Sequence, residues 1–171
     1  MNQIHIGYYK KFGVELVIGS YDNKLCLLDF RYRKLRTSVD NRLKKGLNAE
    51  FVEYEDEIIK QTKKQLDEYF QMKRKEFTIP LLFVGSEFQK KVWEALLQIP
   101  YGEVRSYKEQ AKIVGDEKAV RAVANANGAN AIGIIVPCHR IIGSDGKLTG
   151  YGGGLPLKKK LLELENNLFT I

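Results

Sequence analysis

Cys138 and His139 are the residues of this sequence whose types and spacing could do chemistry. They stand side by side in the stretch IIVPCHRIIGSDGK, where a β-branched run, Ile134-Ile135-Val136, ends at Pro137 and Arg140 follows the histidine. A cysteine reacts as its thiolate, which forms at neutral pH when a neighbour takes the proton or lowers the thiol pKa. Histidine is the usual base, with a carboxylate to orient it. Adjacent side chains on an extended chain point to opposite faces, so a direct Cys-His contact needs a turn, or a water between them. Taken alone, the dyad leaves three readings open for Cys138: nucleophile, metal ligand or small apolar residue.

The metal reading is the weakest. The cysteines are Cys26 and Cys138 and the histidines His5 and His139, and their spacings match no zinc pattern. Two cysteines cannot build a disulfide framework either. Cys26, between Leu25 and Leu27, reads as a buried small hydrophobe.

The 171 residues suit one compact domain or two small subdomains, and a 44% apolar content is enough for a core. The formal charge of +7 favours a polyanionic partner, nucleic acid first and acidic membrane surface second. The opening MNQIHIGYYKK lacks an apolar signal region, and no apolar run is long enough to cross a bilayer. A soluble, cytoplasmic protein without a membrane partner is expected.

The elements that must position the dyad follow from pattern. FGVELVIGSYDNKLCLLDFRYRK holds two β-rich runs split at a Tyr21-Asp22-Asn23 hairpin turn. RYRKLR then exposes four basic residues in six. From about Ala49 to Met72 the spacing of Ile58, Ile59, Thr62, Leu66 and Phe70 predicts a helix. EFTIPLLF reads as an extended crossing, with Pro80 barring a central strand. Past residue 85 the character changes. Ser86 and Gln89 form a capping box ahead of an apolar stripe of Phe88, Val92, Trp93, Leu96 and Leu97. A second box, Ser106 and Glu109, opens a helix that stops at Gly115, and DEKAVRAVANANGAN opens another with acidic residues in its first turn. Two short helices around a tight turn read as helix-turn-helix. The second carries Ala119, Ala122, Ala124, Ala126 and Ala129, so its surface is slim, and Arg121 among them favours a DNA contact over a plain helix-helix contact. AIGIIV reads as the strand that delivers Cys138. LPLKKKLLELE reads as a last helix with Leu157, Leu161 and Leu164 on one face.

IPYGEVRSYKEQA, AVRAVANANGAN, IIVPCHRIIGSDGKLTGYGGG and LKKKLLELE together resemble the C-terminal domain of the O6-alkylguanine-DNA alkyltransferases, the methylated-DNA–protein-cysteine methyltransferases. The resemblance covers about residues 86 to 166, in that family's order and spacing, and Pro137-Cys138-His139-Arg140 is its signature. It implies an α+β fold: a ribonuclease-H-like sheet-plus-helix domain over residues 1–85 and a winged-helix-like, helix-turn-helix alkyltransferase domain over residues 86–171. It also implies a reaction. Cys138 takes the alkyl group from O6 of guanine in double-stranded DNA, irreversibly and once per molecule, without cofactor or metal. O4-alkylthymine is left open as a second substrate, and a monomer is expected.

The resemblance assigns roles residue by residue. His139 deprotonates Cys138 through a water, Glu165 orients His139, and Asn130 braces the active-site turn. Tyr107 crowds the 3′ phosphate, then hydrogen-bonds the flipped base and donates a proton to the departing guanine. Arg121 fills the vacated place in the stack, on a slim helix whose Ala119 and Ala122 enter the minor groove. Val136, Pro137, Tyr151, Gly152 and Lys158 belong to the substrate pocket. Several relatives carry a hydroxyl or a longer side chain where this chain has Gly152, which bears on the alkyl groups admitted. Two other classes fit the sequence less well. Alkyltransferase-like proteins bind damaged bases but carry another residue, commonly Trp, at the position of Cys138. A cysteine hydrolase needs an oxyanion hole that the sequence does not display.

Overall fold

The structure, a computed structural model, describes residues 2–166. The chain divides into two compact units, Met1–Gly85 and Ser86–Ile171. The class is α+β, with a sheet unit followed by a mainly helical one.

The first unit is a four-stranded sheet in the order β3-β2-β1-β4. Strands β1 (Asn2–Lys11), β2 (Val14–Tyr21) and β3 (Lys24–Phe30) run antiparallel in sequence, and β4 (Ala49–Glu53) lies parallel to β1. The β2–β3 turn is the one the sequence predicts. Asp22 and Asn23 both take positive φ (52° and 58°), the left-handed pair that matches the twist of a tight hairpin. The extended segment around Pro80 docks beside β3, where Leu25 N–H donates to the Pro80 carbonyl at 2.8 Å. The proline sits where no ladder donor is asked of it.

Two helices cover the sheet, α1 (Arg36–Leu47) and α2 (Glu57–Phe70). Helix α1 is absent from the sequence reading, because only Val39 and Leu43 of its residues are buried. One pair four residues apart is too sparse a signal for a periodicity argument. The helical pattern placed from Ala49 is corrected at its start. Residues 49–53 form β4, and α2 begins after the cap Asp56. Asp56 accepts from Ile59 N–H at 3.0 Å, from His5 Nδ1 at 2.8 Å and from the Ser20 hydroxyl, so one carboxylate ties the helix start to β1 and β2. Gly7 lets α2 approach: a Cβ there would lie 3.0 Å from Ile59 Cγ2. The basic cluster RYRKLR is also corrected. Arg33 and Arg36 turn inward onto the buried carboxylate of Asp29, at 3.2 Å and 2.5 Å, leaving fewer cations at the surface than the composition suggests.

The second unit opens with α3 (Glu87–Leu96), whose capping box is fully formed between Ser86 and Gln89. Val92, Trp93 and Leu96 are buried, while Phe88 and Leu97 stay 38% and 41% exposed, so the core-facing stripe is narrower than predicted. β5 (Arg105–Ser106) pairs in parallel with β6 (Ile141–Ile142). Helix α4 (Tyr107–Val114) carries the second capping box, Ser106 with Glu109, and ends at Gly115 with φ 111°. Helix α5 (Val120–Gly128) starts later than read. Asp116 and Glu117 precede it, and Asp116 instead accepts from Lys118 N–H in the connecting turn. Helix α6 (Leu155–Leu164) closes the unit, burying Lys158, Leu161 and Leu162 rather than the Leu157-Leu161-Leu164 face. Residues past Asn166 lie outside the described residues.

The carboxylate that caps α2 yields a prediction. Burial alone would raise the Asp56 pKa, but its hydrogen bonds with Ser20, Ile59 and His5 outweigh that and lower it. A depressed carboxylate stabilises the fold above its unfolded pKa and ceases to do so as pH falls through the folded value. Asp56→Ala is expected to cost at least about 1 kcal/mol at pH 7. In urea titrations across pH the deficit should close as the wild type is acidified below the usual carboxylate range.

Candidate active site

Cys138 does not end a strand. The segment 131–136 folds into consecutive tight turns, closed by Ile135 N–H to Gly133 carbonyl at 2.7 Å and Val136 N–H to Ile132 carbonyl at 3.1 Å. Ile134 takes φ 67°, a left-handed conformation that β-branched residues rarely adopt. The apolar run misleads because burial and β-branching are shared by strand interiors and by turns packed in a core. Cys138 N–H then donates to the Val136 carbonyl at 2.8 Å, and Cys138–Arg140 form one turn of 3-10 helix. That turn supplies the bend which an extended Cys-His pair lacks.

Asn130 holds this turn from three sides. Its Oδ1 accepts from Ile132 N–H at 2.9 Å, and its Nδ2 donates to the Val136 carbonyl at 2.9 Å and to Cys138 Sγ at 3.4 Å. Cys138 is the one residue between Ala131 and Ile142 that is only partly buried, so the thiol is the reachable point of a buried frame.

Behind it lies a buried charged chain. His139 Nε2 donates to Glu165 Oε2 at 2.9 Å. Arg140 donates from Nε to Glu165 Oε1 at 2.8 Å and from its second terminal nitrogen to Oε2 at 3.1 Å, and its remaining terminal nitrogen reaches the Ile99 carbonyl at 2.7 Å. Burial would raise the Glu165 pKa, but the hydrogen bonds and charges of His139 and Arg140 prevail and hold the carboxyl well below its usual range. Burial pushes the His139 pKa down, and the charges of Arg140 and Lys158 add to that against the pull of Glu165. The ring is therefore neutral at pH 7. Since an ionised carboxylate only accepts, the single ring proton sits on Nε2. Nδ1 keeps a free lone pair, and it has no hydrogen-bond partner among the described residues although it is buried. A neutral imidazole of this tautomer is a proton acceptor, and Glu165 is placed to stabilise the imidazolium it becomes.

The glycine-rich loop after β6 is held by Lys158. Its ammonium is buried and donates to the carbonyls of Thr149 at 2.6 Å and Gly150 at 3.3 Å. Burial lowers its pKa to about 8, and the nearby charge of Cys138 opposes the shift. Tyr151 is half-buried, its ring 6.4 Å from that of His139 in edge-on contact, and Gly152 is exposed. Tyr107 is the first residue of α4. Its hydroxyl accepts from Thr149 Oγ1 at 3.2 Å.

The structure brings Asn130, His139, Glu165 and Lys158 to the Cys138 turn, and sets Tyr151 against His139 and Tyr107 against Thr149. Val136 and Pro137 are buried side chains, and what Val136 offers the thiol turn is its carbonyl. Arg121 and Ala122 are exposed on α5 and Ala119 is its half-buried cap. With Tyr107, Lys108 and Lys118, Arg121 lines a surface groove of the helix-turn-helix, separate from the buried chain. Arg140 and Thr149 received no role from the sequence. Arg140 had a usable signal, because it stands two residues after the thiol in the signature itself. Among the described residues no cluster of three or more His, Cys, Asp or Glu could hold a metal ion, and no helix is long and apolar enough to cross a membrane.

Comparison with known proteins agrees with this architecture. The family described as 6-O-methylguanine DNA methyltransferase matches over both units, its ribonuclease-like domain at residues 4–83 and its DNA binding domain at residues 87–167. The methylated-DNA–protein-cysteine methyltransferase of Methanosarcina barkeri is 43% identical over 152 residues, 89% of this chain and 90% of its own. The crystal structure of Mycobacterium tuberculosis O6-methylguanine methyltransferase aligns with a TM-score of 0.80 at 40% identity, covering 95% of this chain and 92% of that one. A crystal structure of M. tuberculosis OGT in complex with DNA also gives 0.80 at 40% identity, over 94% and 92% of the two chains. The chain belongs to the methylated-DNA–protein-cysteine methyltransferase family.

The buried chain makes a prediction about its own electrostatics. Arg140→Met removes the guanidinium that pairs both oxygens of the buried Glu165 carboxylate, at an expected cost of about 3 kcal/mol or more in chemical denaturation. It also removes a positive charge that disfavours imidazolium. In NMR titration of the folded variant, the His139 pKa should move up relative to wild type.

Proposed function

We propose that this protein repairs DNA by transferring the alkyl group of O6-alkylguanine irreversibly to Cys138. The observation that carries the reading is the reachable thiol beside a buried His139–Glu165–Arg140 chain in which His139 Nδ1 has no hydrogen-bond partner among the described residues. A water relays the Cys138 proton to Nδ1. The thiolate attacks the alkyl carbon, the S–C bond forms as the C–O6 bond breaks, and the electron pair leaves with guanine. Tyr107 gives up its contact with Thr149 and donates a proton to the departing base. The S–C bond of the thioether is not readily displaced by the departed guanine or by water, so each molecule acts once. Lys158 supports the thiolate by charge and holds the loop carbonyls in place.

The target base must leave the stack to reach a thiol set within such a frame, at a cost of a few kcal/mol. Arg121 takes its place, and the slim surface of α5 at Ala119 and Ala122 suits the minor groove. Tyr151, Gly152, Val136 and Pro137 border the base. The protein works as a cytoplasmic monomer on double-stranded DNA, in keeping with its charge of +7.

Duplex carrying methyl-labelled O6-methylguanine, followed by peptide mass analysis, tests the reaction. One methyl per protein, on Cys138, is expected, and Cys138→Ser should take up none. A stoichiometry above one, or label on another residue, refutes it. Arg121→Ala should slow repair of duplex by about tenfold or more, because only duplex pays for flipping. Its reaction with free O6-benzylguanine should stay near the wild-type rate. Affinity for duplex should fall linearly with salt on a logarithmic scale, as expected for phosphate contacts.

A further inference from the structure

Two buried side chains of the helix-turn-helix have no part in the chemistry above. Gln110 of α4 is 1% exposed and Asn127 of α5 is 9% exposed. They exchange two hydrogen bonds, Gln110 Nε2 to Asn127 Oδ1 and Asn127 Nδ2 to Gln110 Oε1, both at 2.7 Å. The other buried residues of the two helices are apolar: Ala111 and Val114 on α4, Val123 and Ala126 on α5. The pair is thus an amide dimer set in a hydrocarbon seam.

Such a pair contributes little net stability. Two apolar side chains of similar volume serve as well or better, since burial costs each amide its water. What it contributes is geometry. Contacts among alanine and valine are non-directional, so one helix can rotate or slide on the other at little cost. An amide dimer closes in one arrangement, and a small rotation of α5 breaks both bonds together and leaves buried polar atoms unpaired. A second anchor lies one residue away, where Trp93 Nε1 of α3 donates to the Ala126 carbonyl at 2.9 Å. Two directional anchors on adjacent residues fix how α5 is turned about its axis.

The residues controlled by that angle belong to the reaction. Gln110 lies one turn after Tyr107 on α4, and Arg121 lies on α5. The Asn127 carbonyl accepts from Asn130 N–H at 3.2 Å, and Asn130 braces Cys138. We propose that the Gln110–Asn127 pair is a positioning device. It holds Arg121, which takes the flipped base's place in the stack, in register with Tyr107 and with the turn that carries the thiol. This rests on the reading of α4 and α5 as the duplex-binding element.

The test compares single-turnover rates for O6-methylguanine duplex and free O6-benzylguanine, with thermal unfolding alongside. Gln110→Leu with Asn127→Leu should keep or raise Tm. Its duplex rate should fall about tenfold or more, as small misplacements of reacting groups do. The free base needs no flipping, and its rate should stay within about threefold of wild type. Losses equal on both substrates, or a duplex rate within about twofold of wild type, overturn the proposal. Gln110→Glu serves if the double variant does not fold. Its introduced carboxyl repeats both hydrogen bonds when protonated and opposes Asn127 Oδ1 when ionised. Duplex repair should then decline with rising pH through that titration, while the free-base profile follows wild type; parallel profiles overturn the proposal. Wild type separates the two levels. Failure to label Cys138 from either substrate overturns the functional reading itself, whereas normal labelling with unaffected variants overturns the positioning role alone.

Discussion

The reactive end of the C-terminal unit depends on one anion held inside the protein. Glu165 is buried and ionised, and a lone carboxylate in that position costs several kcal/mol. His139 and Arg140 offset the cost, and both come from the turn that starts at Cys138. The thiol, its base and the counter-ion of the base are therefore fixed by one set of contacts. Arg140 extends the set through its bond to the Ile99 carbonyl, and Tyr101 donates to the Leu164 carbonyl at the end of α6. Gly102, at φ 82°, closes this side: a Cβ there would lie 3.2 Å from the Glu165 carbonyl oxygen. The IPYGEV turn thus backs the carboxylate, which accounts for its place among the motifs.

The frame around the thiol is bought at some strain. Ile134 in a left-handed conformation costs about 1–3 kcal/mol and persists where its surroundings over-determine it. Asn130 is the over-determining group, since it satisfies the turn's N–H and C=O together and touches the sulfur. A slim helix-turn-helix places Arg121 outside this frame, so under the proposed function base capture and bond transfer fall to different surfaces of one small unit.

Much of this was legible in local sequence because local physics decides it. Both capping boxes, the Asp22-Asn23 hairpin and the stop at Gly115 need only neighbouring residues, and they stand as read. The dyad became interpretable through its flanking blocks. What escaped depends on distant partners. Helix α1 is held by two buried residues that no periodicity reveals. AIGIIV has the composition of a strand, yet Asn130 folds it into turns. Arg33 and Arg36 look solvated by type, and each turns inward to an acceptor that pattern cannot locate. Arg140 went unassigned although it stands in the signature, because its type alone does not show that it shares the Glu165 carboxylate with His139.

The central claim is that Glu165, through His139, delivers the thiolate at neutral pH. It is tested most directly by the single-turnover rate of Cys138 alkylation as a function of pH, in wild type and in Glu165→Gln. Because the His139 pKa is lowered, the wild-type rate should hold through neutrality and fall only below the ordinary histidine range. The variant should be slower by about a hundredfold at pH 7, the scale of a lost proton-transfer catalyst. The gap should narrow in alkali, where the thiol ionises unaided. A variant that matches wild type at pH 7, or that is slower by the same factor at every pH, contradicts the account.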